Sequence, residues 1–309
     1  MKKIGLIANP NAGRRQAKQK SEELKDIMSA RGIRMDIHFT LPNEDLTPVV
    51  EEYAIHATQL VVMGGDGTVN QVVNGLMNIE KRIPLAIYPM GTVNDFATYL
   101  NIPKNIRSFA NMLEDGHVRM VDLGKAGNRY FLNVAAGGLL PELAHKVSSE
   151  SKTVLGKFAY YIEGIREFPK QFFHPIPIQL DIDGQVTEKK ILFFLAANSP
   201  YVGGFRNLVP KAKIDDGLIE LLIVESVDLP DVANVFLNIL RRQLEHDLEP
   251  VKGISYHRVQ HFKMNSPEVV DVDVDGELGG YLPLTFTMLH RTMPMITPSM
   301  DKTKRSLFT

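Results

Sequence analysis

Residues 59–77 read QLVVMGGDGTVNQVVNGLM. The opening QLVVM is apolar and β-prone after its glutamine, VNQVVNGLM repeats apolar residues at helical spacing, and the joint GGDGT (64–68) combines glycines with a carboxylate and a hydroxyl. A strand that hands over to a helix through glycines leaves backbone N–H groups exposed at the positive end of the helix dipole. Working outward, KIGLIA (3–8), MDIHFT (35–40) and PLAIYP (84–89) are further short β-rich runs, separated by helical patterns at 14–30, 45–57 and 67–78. Strands alternating with helices predict right-handed crossovers and a doubly wound parallel sheet, the α/β class.

After about residue 120 the texture changes. MVDLGKA and YFLNVAAGG (120–138) predict paired strands, followed by a helical stretch over 141–167. PIPIQLDIDGQVTEKKILFFLAANS (175–199) predicts a hairpin turning at Asp183-Gly184. Further strands are expected at 217–225, 257–265, 269–275 and 282–290, with a helix at 230–245. The reading is therefore two domains: an α/β domain over 1–123 and a mainly antiparallel β-rich domain over 124–290, with the tail 291–309 either frayed at its polar end or packed back on the first.

The 309 residues are 44% hydrophobic and 23% charged, ordinary for a chain that buries a sizeable core. Lys plus Arg (35) nearly balances Asp plus Glu (36), so no global field draws the chain to nucleic acid, and no nucleic-acid partner is expected. The sequence contains no cysteine, which excludes disulfides, zinc–thiolate sites and thiol catalysis and suits a reducing compartment. The apolar run IGLIA at the N-terminus is too short for a signal peptide, and ILFFLAA (191–197) falls well short of the roughly 20 residues that span a bilayer. A cytoplasmic location follows as the expectation. Nine histidines show no HExxH or paired ligand spacing; His257 and His261 are read as ordinary residues sharing one strand face.

In a parallel sheet, ligands bind beyond the carboxyl ends of the strands. Three loops there carry unusual residues: NPNAG (9–13), GGDGTVN (64–70) and PMGTVNDF (89–96). Gly64, Gly65 and Gly67 can take positive φ and let backbone N–H groups approach an anion closely. Asp66 would repel a phosphate unless Mg²⁺ or a donor comes between, and the same holds for Asn94 and Asp95 beside Gly91-Thr92. As plain turns the same loops would need only helix caps. Three of them on one sheet edge favour a phosphate site. The chain has neither GxxxxGK[ST] nor GxGxxG after its first strand, so neither a P-loop nor a Rossmann turn is supported.

In this order NPNAG, GGDGTVNQVVNG and PMGTVNDFA resemble the diacylglycerol kinase and sphingosine kinase superfamily, in particular the soluble bacterial diacylglycerol kinases. GGDGT alone is shared with NAD kinases and loosely with phosphofructokinases; GTVNDFA is far more specific. The similarity continues through VDLGKAGNRYFLNVAAGG, KFAYYIEGI, LVPKAKIDDGLIELLIVE and VDVDGELGG. It implies an active site between the two domains, with ATP held by Asn9, Pro10, Asn11, Ala12, Gly13, Thr40, Gly64, Gly65, Asp66, Gly67, Thr68, Asn70, Gly91, Thr92 and Asn94. It also implies Mg²⁺ near Asp66 and Asp95, and a general base at Asp275 or Glu277, whose odd spacing with Asp273 puts them on one face of a straight strand. A structural Mg²⁺ is implied at Asp216 with the carbonyls of Lys213 and Leu218, with Asp122 joining a water network to Asp66 and Asp95.

The implied reaction is phosphoryl transfer to a lipid hydroxyl, most directly that of diacylglycerol. Phosphatidylglycerol or a sphingoid base as acceptor, NAD phosphorylation, and non-catalytic lipid or nucleotide binding stand as alternatives. The basic and aromatic residues of 146–174 suit transient docking on a membrane surface, and a homodimer is compatible with the pattern.

Overall fold

The computed structural model describes residues 2–80, 82–138, 174–225 and 253–299. The chain divides into two units, one formed by 1–121 with 291–309 and the other by 122–290.

In the first unit, β1 (Lys3–Ala8), β2 (Arg34–Phe39), β3 (Gln59–Gly64) and β4 (Leu85–Pro89) are parallel and lie in the order β4-β3-β1-β2. Leu60, Val61, Val62 and Met63 are all fully buried. Burial of alternate side chains on both faces is what writes a continuous apolar run in place of alternation. Between the strands run α1 (Ala12–Arg15), α2 (Ala17–Ala30), α3 (Thr47–His56) and α4 (Asp66–Met77). Two helices not anticipated from sequence follow β4: α5 (Asp95–Tyr99) and α6 (Ile106–Asp115). Asn105 caps α6, its side chain accepting from the backbone N–H of Arg107 and Ser108, and Ile106, Phe109, Ala110 and Leu113 form its buried stripe.

The chain leaves this unit within β5 (His117–Ala126) and returns to it within β15 (Leu284–Thr297), whose Met295 pairs in parallel with Leu85. The stretch 129–138 forms two short strands, β6 (Arg129–Phe131) on β5 and β7 (Val134–Gly138) on β9 (Gln185–Ala197). β8 (Ile176–Ile182) and β9 form the expected hairpin. Its turn residues Asp183 and Gly184 have φ of 52° and 81°, the doubly positive pair that suits a two-residue connection. β10 (Ile219–Glu225) lies antiparallel between β9 and β11 (Ile254–Val259).

The single strand expected at 257–265 is instead β11 and β12 (His261–Asn265), which separates His257 from His261. His261 also has a carboxylate neighbour, Asp183, at 3.6 Å. β13 (Asp271–Val274) and β14 (Glu277–Tyr281) form a second hairpin, with β14 unanticipated. The core of this unit gathers Phe131, Phe194, Phe262 and Phe286, with Phe262 and Phe286 stacked at 4.5 Å. The expected helices at 141–167 and 230–245 lie outside the described residues. Among the described residues no helix is long and apolar enough to cross a membrane.

Candidate functional site

The parallel sheet changes direction between β1 and β3: β2 lies beyond β1 on one side and β4 beyond β3 on the other. Loops leaving two such strands diverge and open a crevice at their carboxyl ends. All three glycine-containing loops meet there. Asn9 N donates to Met63 O, Met90 N to Gly64 O and Gly13 N to Met90 O, each at 2.9 Å. Asp66, at the first turn of α4, accepts the Asn94 backbone N–H on Oδ2 at 3.1 Å. Asn94 sits in the left-handed region at φ 52° and ψ 50°; its Oδ1 accepts from Gly91 N at 3.0 Å and its Nδ2 donates to Gly91 O at 2.6 Å. Asp95 is buried at the start of α5.

The glycines serve this joint differently from the sequence expectation. Gly64, Gly65 and Gly67 do not have positive φ. Their smallness is what matters: a Cβ on Gly64 would lie 2.7 Å from Cβ of Thr68, and one on Gly91 would lie 2.7 Å from Cα of Gly65. Two loops in backbone contact cannot yield to a methyl group as a flexible side chain would. Gly91→Ala is therefore expected to cost roughly 1–3 kcal/mol of stability, as overpacking does, and to weaken ATP binding. Thermal unfolding together with calorimetric nucleotide titration checks both, and unchanged binding would contradict the nucleotide site that the resemblance implies at this joint.

The first loop carries real backbone strain. Gly13, Arg14 and Arg15 have φ of 58°, 56° and 68°, and two of the three pay the Cβ penalty of the left-handed region. This replaces the helix start expected at residue 14, and the regular helix begins at Ala17. Asn9 fastens the loop, accepting from Asn11 N at 3.0 Å on its side chain and directing Nδ2 toward Thr68 Oγ1 at 3.5 Å.

Beside it lies a cavity of about 200 Å³ lined in part by Asn9, Asn11, Thr40, Asn43, Thr68 and Gln71. Asn43, Glu44 and Gln71 were not anticipated from sequence, although each stands within a few residues of an expected one. Glu44 holds the rim, accepting from Leu41 N at 2.8 Å and from His38 Nε2 at 2.9 Å; the Leu41 N–H, then His38, lower its pKa against the opposing effect of burial. Asn70 is not at this cavity; it is fully buried on α4, where Asn74 donates to its carbonyl and side chain. Thr92 is exposed.

Residues 3–126 match the diacylglycerol kinase catalytic domain, and residues 135–297 match the YegS C-terminal NAD kinase beta sandwich-like domain. Diacylglycerol kinase of Staphylococcus carnosus is 35% identical over 302 residues, covering 96% of this chain and 95% of the relative. That of Bacillus subtilis is 34% identical over 300 residues, covering 96% and 97%. The chain belongs to the diacylglycerol kinase family. As a member of it the chain is a lipid kinase. A solved structure from Bacillus anthracis str. Sterne, described as a candidate diacylglycerol kinase, superposes with a TM-score of 0.81 at 30% identity over 96% of each chain. The parallel first half and antiparallel second half are those of the family.

In the second unit of this diacylglycerol kinase relative, the two candidate bases part company. The strand does not run straight through VDVDGE: it ends at Val274, and Asp275-Gly276 forms a two-residue turn with φ of 52° and 92°. Asp275 is only 9% exposed, and its carboxylate accepts three backbone N–H groups, Leu132 at 2.7 Å on Oδ2 and Asn133 and Val134 at 3.0 and 2.9 Å on Oδ1. Glu277 is exposed, and its side chain has no hydrogen bond or ion pair among the described residues. Asp122 is fully buried, with Oδ2 accepting Gly217 N at 2.6 Å and Oδ1 facing His290 Nδ1 at 3.0 Å, so it braces the 213–218 turn.

The cation sites implied by resemblance separate in the same way. Asp66 and Asp95 are hard oxygen donors where the three strand-end loops meet, and Mg²⁺ commonly takes one or two carboxylates and completes its shell from phosphates and water. Those residues fit such an ion. The turn at 213–218 does not. Asp216 Oδ1 accepts Leu218 N at 3.1 Å, and Oδ2 already holds the Arg258 guanidinium at 2.7 Å. A dication on Asp216 would be placed against that fixed positive charge.

Proposed function

We propose that the chain transfers the γ-phosphoryl group of ATP to a primary hydroxyl of a lipid, with diacylglycerol as acceptor and phosphatidic acid as product. The observation that supports it most is the stitched joint of three strand-end loops around Asp66. The first N–H groups of α4 have no partner within the helix and lie beside the strained 9–16 turn and the Gly91 loop. In this reading Asn9, Asn11, Thr40 and Thr68 orient the nucleotide, and Gly65 and Gly91 let backbone donors reach its phosphates. Asp66 and Asp95 would hold Mg²⁺, which supplies charge neutralisation when bound.

An alcohol is a poor nucleophile until its proton leaves. Glu277 is the side chain suited to take it, because its carboxylate is exposed and uncommitted, whereas the Asp275 oxygens are occupied by backbone donors. Leu278 and Tyr281, each about half exposed beside Glu277, are compatible with an acceptor that brings acyl chains. A lipid acceptor places the enzyme at a membrane surface during turnover. The basic–aromatic segment 146–174 that suggested docking lies outside the described residues apart from His174.

Incubation with γ-labelled ATP and vesicles of a total lipid extract tests the reading, with labelled phosphatidic acid as the expected product. Label on NAD alone, or on another lipid with none on diacylglycerol, would overturn the acceptor assignment.

A further inference from the structure

β10 and β11 carry a charge cluster around one buried carboxylate that the proposed reaction does not use. Glu220 pairs in register with Arg258 and is 1% exposed. Its Oε2 accepts the Tyr256 hydroxyl in a short hydrogen bond, and its Oε1 accepts Arg258 Nε at 2.8 Å. The other edge of the same guanidinium reaches Asp216, with Nη2 2.7 Å from Oδ2. One fixed fork of donors thus spans two carboxylates, one inside the sheet and one on the 213–218 turn.

We propose that Arg258 is the resident cation of the 213–218 turn, and that the turn holds its shape without a divalent ion. A buried carboxylate must be compensated, and a guanidinium does this permanently because it does not deprotonate in a protein. The Glu220 hydrogen bond raises the pKa of Arg258, and burial followed by the Glu220 contact raises that of Tyr256, so both remain protonated. Arg258 is 40% exposed and Asp216 21%, so water screens the outer contact more than the inner one. The arrangement is mechanical as well as electrostatic. Arg258 is fixed by its strand register to Glu220, Asp216 is fixed to Arg258, and Asp122 fixes the intervening Gly217 through its backbone N–H. A lysine in place of Arg258 would offer a point charge without two spaced edges and could not reproduce the bridge.

Thermal unfolding of nucleotide-free full-length protein, in excess EDTA and across a Mg²⁺ titration, tests this independently of any kinase activity. Wild type is expected to unfold at the same temperature in both conditions. Arg258→Met is expected to unfold lower, by on the order of 5 °C or more, since it strips the partner from buried Glu220. Stabilisation of wild type by Mg²⁺ that disappears in Asp216→Asn would overturn the proposal, as would an Arg258→Met protein as stable as wild type. If Arg258→Met fails to fold, comparison of wild type with Asp216→Asn still decides: equal indifference to Mg²⁺ supports the resident cation.

Discussion

Asp66→Asn is expected to retain the fold and lose turnover. The substitution keeps the size of the side chain and an oxygen that can accept the Asn94 N–H, now at 3.1 Å from Oδ2, while removing the negative charge. Transfer of a phosphoryl group relies on positioning and on neutralising charge as it develops, so a carboxylate that holds the neutralising ion contributes several kcal/mol to the barrier, a hundredfold or more in rate. The structural contribution of Asp66 is separable from this. Asp66→Ala loses both charge and acceptor, releasing the N–H of a residue held at positive φ. It should therefore show the same loss of kcat together with a lower unfolding temperature, whereas Asp66→Asn should show the loss of kcat alone. Steady-state assays with labelled ATP and diacylglycerol vesicles, run beside thermal unfolding, make the comparison. Near-normal turnover of Asp66→Asn would remove the charge from the mechanism.

The parts of the fold that were legible in sequence are those where one local rule acts undisturbed. Val61, Val62 and Met63 are buried on both faces of a parallel sheet, so their apolar run is uninterrupted, and Asp183-Gly184 is a residue pair that suits the doubly positive backbone of a two-residue hairpin. Where two rules compete the sequence misleads. The GGDGT glycines were read through their freedom to adopt positive φ, yet Gly64 is needed because Thr68 comes so close, and Gly91 because the Gly65 backbone does. The contact between Gly65 and Gly91 is made by segments more than twenty residues apart and leaves no local trace. The 257–265 run was read as one strand, although the chain breaks between Val259 and His261 to serve different partners. The bridge from Arg258 to Asp216 joins residues 42 apart in sequence and depends on strand register, which spacing alone does not supply.

The same limit governs the two acids at the β13–β14 turn, and here it bears on catalysis. Asp273, Asp275 and Glu277 alternate as they would on one face of a continuous strand, but Val274 pairs with Glu277 across a turn made by Asp275 and Gly276. Asp275 is thereby swung onto the backbone of 132–134, and Glu277 is left in solvent. Opposite phenotypes follow. Glu277→Gln removes the proposed base but no side-chain hydrogen bond, so kcat should fall by roughly two orders of magnitude or more, with the unfolding temperature unchanged. Asp275→Asn turns an acceptor of three N–H groups into one that must present its own N–H₂ to a donor-rich loop. Leaving buried donors unpaired costs about 1–3 kcal/mol, seen as a lower unfolding temperature. Its residual turnover should exceed that of Glu277→Gln, because the proposed base is intact. A protein in which Asp275→Asn is fully stable and inactive while Glu277→Gln turns over normally would reverse the two roles, and would mean that the carboxylate most heavily solvated by backbone is nonetheless the one that receives the acceptor's proton.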